Sequence, residues 1–329
     1  MSQQSANAVV MIRPSGFYPN PETALDNAFQ EEDGDEPRAA ISVWARAEFD
    51  RAVEMLSAAG ITVHIFDDIP NPPKPDAVFP NNWFSTHHDG RIALYPMSTP
   101  SRRAERRPDI IESLRESYHV TEVIDYSPYE KRELYLEGTG SLVLDHEHRL
   151  AYVSLSGRAD REPLEKFCAD FDYEPVTFQS TSADGRAIYH TNVMLCLGTS
   201  FALVGLAMIA DQGQRHMVRQ RLEATGKTIV PLTSEQIENF SGNALELQNE
   251  QSKLLVLSVR AVAQLGPEER ATIERFARLL PLDLPTIERA GGSARCMLAT
   301  VHLPPRKSIT AGDFRPNQGV GPEVQSGIP

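Results

Sequence analysis

The sequence predicts an α/β fold arranged as a five-bladed αβ-propeller, a ring of pseudo-fivefold repeats of two strands, a helix and a strand. Three observations predict it. The order of strand, strand, helix and strand recurs along the chain, the recurrence has a nearly constant period, and the incomplete first and last units complement each other. Because the helices alternate with strands, we expect them outside the ring. The N-terminal strand should pair with the C-terminal strand and close the ring.

The first unit shows the signals that assign each element. An apolar run from Val9 ends at Pro14, which predicts a strand. Apolar residues at helical spacing follow the acidic loop 16–36 and stop at Gly60, before the strand 61–66. A new group then begins at 77–84. The same reasoning predicts further strands at 92–95, 120–126, 136–144, 150–155, 174–178, 189–197, 201–209, 228–232, 243–247, 254–259, 283–287 and 295–303, with helices at 39–59, 102–118, 160–171, 212–224 and 267–279.

The uncharged run 193–210 resembles a membrane span in its length. Gly198, Thr199 and Ser200 interrupt it with turn-forming residues. Two buried strands of a hairpin are therefore the better interpretation.

Composition indicates a single domain over residues 9–304, preceded by a disordered N-terminus at 1–8 and followed by a flexible tail at 305–329. A net charge of −13 argues against nucleic acid and anionic membranes as partners. A small amino-acid substrate fits better. Three cysteines and no secretory signal indicate a reducing compartment, the cytoplasm. A homodimer is possible.

The period brings chemically active residue types to equivalent positions. Glu137, His190, Asn243 and Cys296 are spaced by 53 residues, and Asn82 precedes Glu137 by 55. A thiolate nucleophile needs a nearby base, and a histidine base is oriented best by a carboxylate. Cys296, His190 and Glu137 are therefore the predicted catalytic residues. The alternative for Cys296 is a buried cysteine that packs as a small apolar residue.

Four motifs carry a resemblance to a known family. They are DAVFPNNW at 76–83, LEGTGS at 136–141, YHTN at 189–192 and GSARC at 292–296. Together they resemble the guanidino-modifying, or amidinotransferase, superfamily with the pentein fold, which includes arginine deiminase and dimethylarginine dimethylaminohydrolase. The resemblance covers residues 9–304 and is closest to the citrulline-utilisation hydrolases. It implies attack by the Cys296 thiolate on a planar guanidino or ureido carbon, proton transfer by His190, a supporting Glu137, and no metal or organic cofactor.

The substrate-facing motifs depart from those of superfamily members that act on guanidinium groups, which carry Asp after Phe-x-x and in His-x-Asp. Here Asn82 and Asn192 stand at those positions. An amide offers both a donor and an acceptor, which suits the neutral ureido group of citrulline better than a cation. Phe79 of the same motif is also predicted to bind the substrate. Asp76 or another acid could still supply a negative charge.

Further predictions concern the rest of the substrate. Arg13 and Arg295 are candidates to bind its α-carboxylate, although either could be a solvated surface arginine. Asn243 could support the site or stabilise a turn. The basic run 102–107 is expected on a solvated face, and the histidine pairs at 87–88 and 145–148 in exposed turns rather than at a metal. Cys168 and Cys196 are expected in the core.

The prediction is therefore a citrulline hydrolase that releases ornithine, carbon dioxide and ammonia. A guanidino hydrolase of the same fold and a non-catalytic amino-acid-binding protein are the alternatives.

Overall fold

The computed structural model describes residues 3–31 and 36–306 of the 329-residue chain. Its strands form five separate three-stranded sheets, in the orders β15-β1-β2, β3-β4-β5, β6-β7-β8, β9-β10-β11 and β12-β13-β14. In each sheet the middle strand pairs antiparallel with one neighbour and parallel with the other. This is the repeating unit that the sequence predicts.

The strands are β1 Ala8–Arg13, β2 Thr62–Asp67, β3 Phe84–Thr86, β4 Arg91–Leu94, β5 Glu122–Asp125, β6 Val143–Asp145, β7 Leu150–Ser154, β8 Glu174–Phe178, β9 Leu195–Leu197, β10 Phe201–Val204, β11 Thr228–Pro231, β12 Leu245–Gln248, β13 Lys253–Ser258, β14 Arg278–Leu282 and β15 Ala299–Thr300. The α-helices are α1 Arg38–Ala58, α2 Pro100–Arg103, α3 Pro108–Ser117, α4 Gly138–Ser141, α5 Arg161–Phe171, α6 Gln212–Ala224, α7 Ser234–Glu238, α8 Val259–Gln264 and α9 Pro267–Glu274. Short 3₁₀ helices lie at Pro80–Asn82, Ser127–Arg132, Thr191–Val193, Leu206–Met208, Ile287–Ala290 and Ala294–Met297.

The predicted pairing of the two ends of the domain is present. Val9 and Val10 of β1 lie opposite Thr300 and Ala299 of β15 in an antiparallel register. On its other edge β1 pairs in parallel with β2, and α1 supplies the crossover between them. The first sheet therefore combines strands from both ends of the domain.

Shared hydrophobic clusters join each sheet to the next. The first and second sheets share Val10 with Ile92, the second and third share Ala93 with Ala151, the third to fifth share Tyr152, Leu203 and Leu255, and the fifth and first share Leu254 with Val9. Burial of these side chains stabilises the contacts between sheets by roughly 25 cal/mol for each Å² of apolar surface removed from water.

Two helix predictions differ from the structure. The predicted helix 102–118 is two helices, because Pro108 begins α3 and disfavours helical backbone at the residue before it. The predicted helix 267–279 ends at Glu274, and the strand expected at 283–287 is β14 instead. Leu280 and Leu282 alternate into the core there and pair with β13. The uncharged run 193–210 contains the antiparallel pair β9 and β10, as predicted.

The expected disorder of residues 1–8 does not hold for residues 3–8. Ser5 and Ala6 are buried, Ala6 forms a bridge with Leu247, and the Ser5 hydroxyl donates to Glu246. Ala8 already belongs to β1. The predicted tail lies outside the described residues from 307 onward. None of the helices in the described ranges has the length and apolarity needed to cross a membrane.

Candidate active site

In each sheet, the edge strand that pairs antiparallel with the middle strand is here called the inner strand. The five periodic residues lie in tight turns that precede these inner strands. Asn82 ends one helical turn, Glu137 and His190 each stand directly before one, and Cys296 lies within another. The inner strands therefore begin later than predicted, at β3, β6, β9, β12 and β15. Because equivalent turns lie at the same end of their sheets, their side chains converge.

Two glycines allow the turns to approach each other. Gly138 has φ +45°, and a Cβ there would lie 2.4 Å from the carbonyl oxygen of Asn81. At Gly140 a Cβ would lie 2.2 Å from Asn82 Nδ2 and 2.8 Å from His190 Nδ1. Contacts this short are excluded for a real side chain, so Gly140 permits the close approach of Asn82 to His190.

A pocket of about 270 Å³, here called the Cys296 pocket, contains five of the predicted site residues. Its lining consists of Thr23, Asn27, Asp76, Phe79, Asn82, Arg102, Arg158, Tyr189, His190, Ala290, Gly292 and Cys296. Cys296 is only 3% exposed, so the thiol lies at the bottom of an enclosed site. The structure thus brings together residues that are far apart in sequence.

His190 and Glu137 form a buried pair behind the pocket. His190 Nε2 lies 2.8 Å from Glu137 Oε2, and the other carboxylate oxygen accepts the backbone N–H of Ser98 at 2.9 Å. Burial alone would raise the pKa of Glu137, but Arg158, His190 and Arg102 outweigh it and hold the pKa well below its usual range. Burial lowers the pKa of His190, although Glu137 opposes this. An ionised Glu137 accepts a hydrogen bond from the Nε2–H of His190, which leaves Nδ1 of the neutral ring as a base.

The Cys296 sulfur receives two amide donors. Asn243 Nδ2 lies 3.2 Å from Sγ and Asn192 Nδ2 lies 3.5 Å from it. The Asn243 oxygen accepts the backbone N–H of Arg295 at 3.1 Å, so Asn243 also holds the turn that carries Cys296. Asn243 therefore contacts both the Cys296 sulfur and the turn that carries it.

Arg102 occupies the centre of a buried polar network on one wall. It donates to both oxygens of Glu105, each at 3.0 Å, to Asn82 Oδ1 at 2.8 Å and to the Phe79 carbonyl at 3.3 Å. Its Nη1 also lies 3.8 Å from Glu137. The prediction of a solvated basic face is wrong at this position, since Arg102 is 3% exposed. Burial raises the pKa of Glu105, and Arg102 opposes this shift because it donates to both oxygens of the carboxylate.

Arg158 is a second buried arginine in the lining of the Cys296 pocket. Arg158 donates from Nε to Asp26 at 2.8 Å and also from Nη2 to the same carboxylate. Its Nη1 lies 3.6 Å from Glu137 Oε2, and its guanidinium covers the Tyr189 ring at 4.7 Å. The lining of the Cys296 pocket therefore includes two buried arginines, and each of them is already paired with carboxylates.

Asn82 and Asp76 line the Cys296 pocket, whereas Asn192 contacts the Cys296 sulfur and is not among the described lining residues. Because Asn82 Oδ1 accepts from Arg102, its Nδ2 is the group left for a ligand, and this nitrogen has no hydrogen-bond partner among the described residues. Asn192 Oδ1 is likewise unpartnered within that part of the chain. Asp76 accepts from Asn20 at 2.8 Å, and burial raises its pKa against the effect of Arg102. Phe79 packs on Gly292, where a Cβ would lie 2.7 Å from the ring.

Neither arginine proposed from sequence for the α-carboxylate lies in the Cys296 pocket. Arg13 instead pairs with Asp50 at 2.7 Å and with Asp67 at 3.2 Å, and these ion pairs are partly exposed. Arg295 is buried but reaches the Ala244 carbonyl instead. Cys168 and Cys196 are buried in the core, as expected.

Arg102 and Arg158 were missed because neither falls on the 53-residue period. Both follow a middle strand, β4 or β7, which runs antiparallel to the inner strand of its sheet. A middle strand therefore ends where an inner strand begins. The loops after the middle strands were the signal that could have identified these residues.

The inner strands end at a second pocket of about 450 Å³, here called the rear pocket. Gln4, Thr139, His146, Glu246, Arg295 and His302 are among the residues that line it. Of the histidines expected in exposed turns at 87–88 and 145–148, His87 and His146 are buried, at 1% and 8% exposure. His88 is half-buried, and His148 is exposed as expected. His302 Nδ1 lies 3.2 Å from His88 Nε2. Within residues 3–31 and 36–306 these groups form no cluster of three or more candidate metal ligands.

Solved structures share this fold. The N-terminal domain of ArgZ, described as an arginine dihydrolase from the ornithine-ammonia cycle in cyanobacteria, is 17% identical over 90% of this chain and 98% of that domain, with a TM-score of 0.70. AgrE in complex with ornithine and NAD⁺ is 18% identical over 93% of this chain and 40% of its own length, with a TM-score of 0.70. A dimethylarginine dimethylaminohydrolase adduct with S-methyl-L-thiocitrulline is 14% identical over 91% of this chain and all of that one, with a TM-score of 0.60. No curated protein matches the chain.

The fold, with its repeated three-stranded sheets and converging turns, defines a protein of the pentein, or amidinotransferase, superfamily, related to arginine deiminase. Within it, the chain belongs to the family described as N,N dimethylarginine dimethylhydrolase, eukaryotic, whose model matches residues 13–303. This membership makes the protein a hydrolase of the type that acts on guanidino C–N bonds.

Proposed function

We propose that the protein hydrolyses the ureido group of citrulline to ornithine, carbon dioxide and ammonia. The orientation of the Asn82 amide carries this proposal. Arg102 occupies its oxygen, so the amide offers an N–H donor to a ligand. A ureido carbonyl oxygen accepts such a bond, whereas a guanidinium presents only N–H groups and would oppose it.

The second amide complements the first. Asn192 directs its nitrogen toward Cys296 and keeps an unpartnered oxygen among the described residues. That oxygen can accept an N–H of the ureido group. One donor and one acceptor match a neutral ureido group, and burying two carboxylates around a neutral group would cost free energy.

The proposed chemistry uses Cys296, His190 and Glu137 as catalytic residues. His190 Nδ1 takes the thiol proton, and the Cys296 sulfur forms a bond to the ureido carbon. The C–NH₂ bond breaks as His190 returns the proton, so ammonia leaves and a thiocarbamate remains on sulfur. Water, activated by Nδ1, attacks the same carbon, and the C–S bond breaks to restore the thiol. The released carbamate of ornithine then loses carbon dioxide. No cofactor takes part in these steps.

The remaining charges of the pocket suit an α-amino acid. Arg158, which lines the pocket, supplies positive charge for the α-carboxylate, in place of Arg13 and Arg295. Asp76, a buried acid that lines the pocket, can receive an N–H of the substrate. We also propose that the five sheets close into the predicted propeller, which the shared clusters between each pair of neighbouring sheets support.

A guanidino substrate is the second candidate function. Two observations favour it, namely the match to the dimethylarginine hydrolase family and the presence of Asp76 in the pocket. An ionised Asp76 would supply a counter-charge for a guanidinium. The cytoplasmic location and the homodimer stay predictions.

Turnover of citrulline, arginine and dimethylarginine by the purified protein tests the proposal. We expect ornithine and ammonia from citrulline and little product from the two guanidino compounds. Preferential turnover of either guanidino compound would overturn the substrate assignment.

A thiol reagent at pH 7 separates an enzyme from a binding protein. Burial raises the pKa of Cys168 and of Cys196 to about 12, so these two thiols should remain unreactive. Rapid labelling confined to Cys296, and its prevention by citrulline, would support a nucleophile in the substrate site. Equal and slow labelling of all three would favour a protein that only binds.

A further inference from the structure

We propose that Glu105 is a positioning residue that determines which side of the Asn82 amide faces the substrate, acting through Arg102. The inference rests on the proposed function, since it concerns how the pocket distinguishes a ureido oxygen from a guanidinium. Glu105 does not line the Cys296 pocket among the described residues. Its influence on a substrate must therefore pass through a neighbour.

The contacts from Glu105 to the pocket are continuous. Glu105 is 1% exposed and receives two hydrogen bonds from Arg102, from Nε and from Nη2, each at 3.0 Å. A bidentate pair of this kind fixes the plane of a guanidinium as well as its position. With this edge held by Glu105, Nη1 of Arg102 reaches Asn82 Oδ1 at 2.8 Å.

Competing carboxylates explain why this support is needed. Asp76 lies 3.9 Å from Arg102 Nε, and Glu137 lies 3.8 Å from Nη1. Without the bidentate bond, the guanidinium would turn toward these two acids and release the Asn82 oxygen. A released amide can rotate and present its oxygen to the pocket, and an oxygen accepts from a guanidinium as readily as a nitrogen donates to a ureido oxygen. Loss of Glu105 should therefore weaken discrimination between the two substrate classes.

Glu105→Gln tests this inference, because glutamine keeps the volume but replaces one acceptor with an NH₂ group that opposes Arg102. We expect kcat/KM for citrulline to fall by about 10- to 100-fold. We expect the ratio of kcat/KM for citrulline to that for arginine to fall by at least about tenfold. The rotated Asn82 amide would accept a hydrogen bond from the guanidinium of arginine and would no longer donate one to the ureido oxygen of citrulline. Glu105→Asp keeps the charge with a shorter reach and should show a smaller change in the same ratio.

Glu130→Gln is the matched control. Glu130 pairs with both terminal nitrogens of Arg106, at 2.5 and 3.0 Å, and neither residue lines the Cys296 pocket within the described ranges. We expect it to alter the melting temperature without altering the substrate ratio. An unchanged ratio in both Glu105 variants, or an equal change in Glu130→Gln, would overturn the inference.

The test of Glu105 and the test of the citrulline assignment can fail independently of each other. If the wild-type protein prefers arginine or dimethylarginine, the citrulline assignment fails before any variant is made. The substrate ratio of Glu105→Gln still tests the positioning role in that case, since the role requires the ratio to change relative to the wild type. If Glu105→Gln does not fold, the ratio measured for Glu105→Asp decides the test.

Discussion

The Cys296 pocket and the rear pocket both have buried titratable groups beside them, but Glu137 at the first is charged whereas the histidines at the second are neutral. At the Cys296 pocket, Glu137 lies within 4 Å of Arg102 and Arg158, and its pKa is held low despite complete burial. Around the rear pocket, burial lowers the pKa values of His146 and His302 well below the usual range, and each is lowered further by neighbouring histidines. Burial disfavours the charged form at both pockets. The charge state of each group is therefore decided by whether opposite charges lie within about 4 Å of it.

This comparison predicts that substitutions at the Cys296 pocket change activity more than stability, and that substitutions around the rear pocket do the reverse. The largest effect should come from Cys296→Ser, which removes the nucleophile. We expect turnover to fall by about 10⁵-fold or more. The free energy of unfolding should change by only about 1 kcal/mol. Steady-state kinetics and urea unfolding measure these two quantities. Residual turnover near the wild-type rate would show that the nucleophile is another residue.

Glu137→Gln should produce the next largest effect and should lower both turnover and the free energy of unfolding. We expect kcat to fall by about 10²- to 10³-fold, because His190 loses the carboxylate that fixes its tautomer. We also expect a loss of about 3 kcal/mol of stability, because two buried arginines lose a shared counter-charge. Kinetics and urea unfolding at pH 7.5 check both. A variant with a normal kcat would contradict a supporting role for Glu137.

A smaller effect, a loss of stability, should appear around the rear pocket when the pH falls. Burial lowers the pKa of His87 from 6.5 to about 3, so between these values the unfolded chain binds a proton that the folded protein excludes. The contribution of neutral His87 to the free energy of unfolding is therefore fully present above pH 6.5 and is lost as the pH falls toward 3. At pH 5 this single histidine should cost about 2 kcal/mol.

Replacement of His87 isolates this contribution. His87→Phe should reduce the stability difference between pH 7.5 and pH 5 by about that 2 kcal/mol, with turnover at pH 7.5 unchanged. His216→Gln, at an exposed position of α6, is the control and should leave the difference nearly unaltered. An identical pH dependence in His87→Phe and wild type would mean that His87 does not titrate as burial requires.

The smallest effect is expected at Arg13, which belongs to neither pocket. Its ion pairs with Asp50 and Asp67 are partly exposed, and such pairs contribute about 0–1 kcal/mol. Arg13→Ala should leave KM for the substrate unchanged, whereas Arg158→Ala should raise it. A raised KM in Arg13→Ala would restore the original assignment of Arg13 to the α-carboxylate.

The repeat allowed much of this arrangement to be predicted from sequence. The spacing of Glu137, His190 and Cys296 placed all three at one end of the sheets, because each occupies the same position in its unit. Helix and strand boundaries were harder around Leu279 to Leu282, where helical and strand periodicities overlap. Arg102 was predicted incorrectly because a basic run carries no information about which member is buried. Its burial depends on Glu105 and Asn82, and the contact with Asn82 spans 20 residues.

Gly140 has a practical consequence. It carries no charge, makes no side-chain contact and takes no part in the proposed chemistry, yet a methyl group there would force Asn82 Nδ2 and His190 Nδ1 apart. Gly140→Ala should therefore disable the site by displacement alone, with the thiol, the imidazole and both buried arginines retained. In cells, such a variant would separate the consequences of lost turnover from those of a missing protein or an altered surface charge.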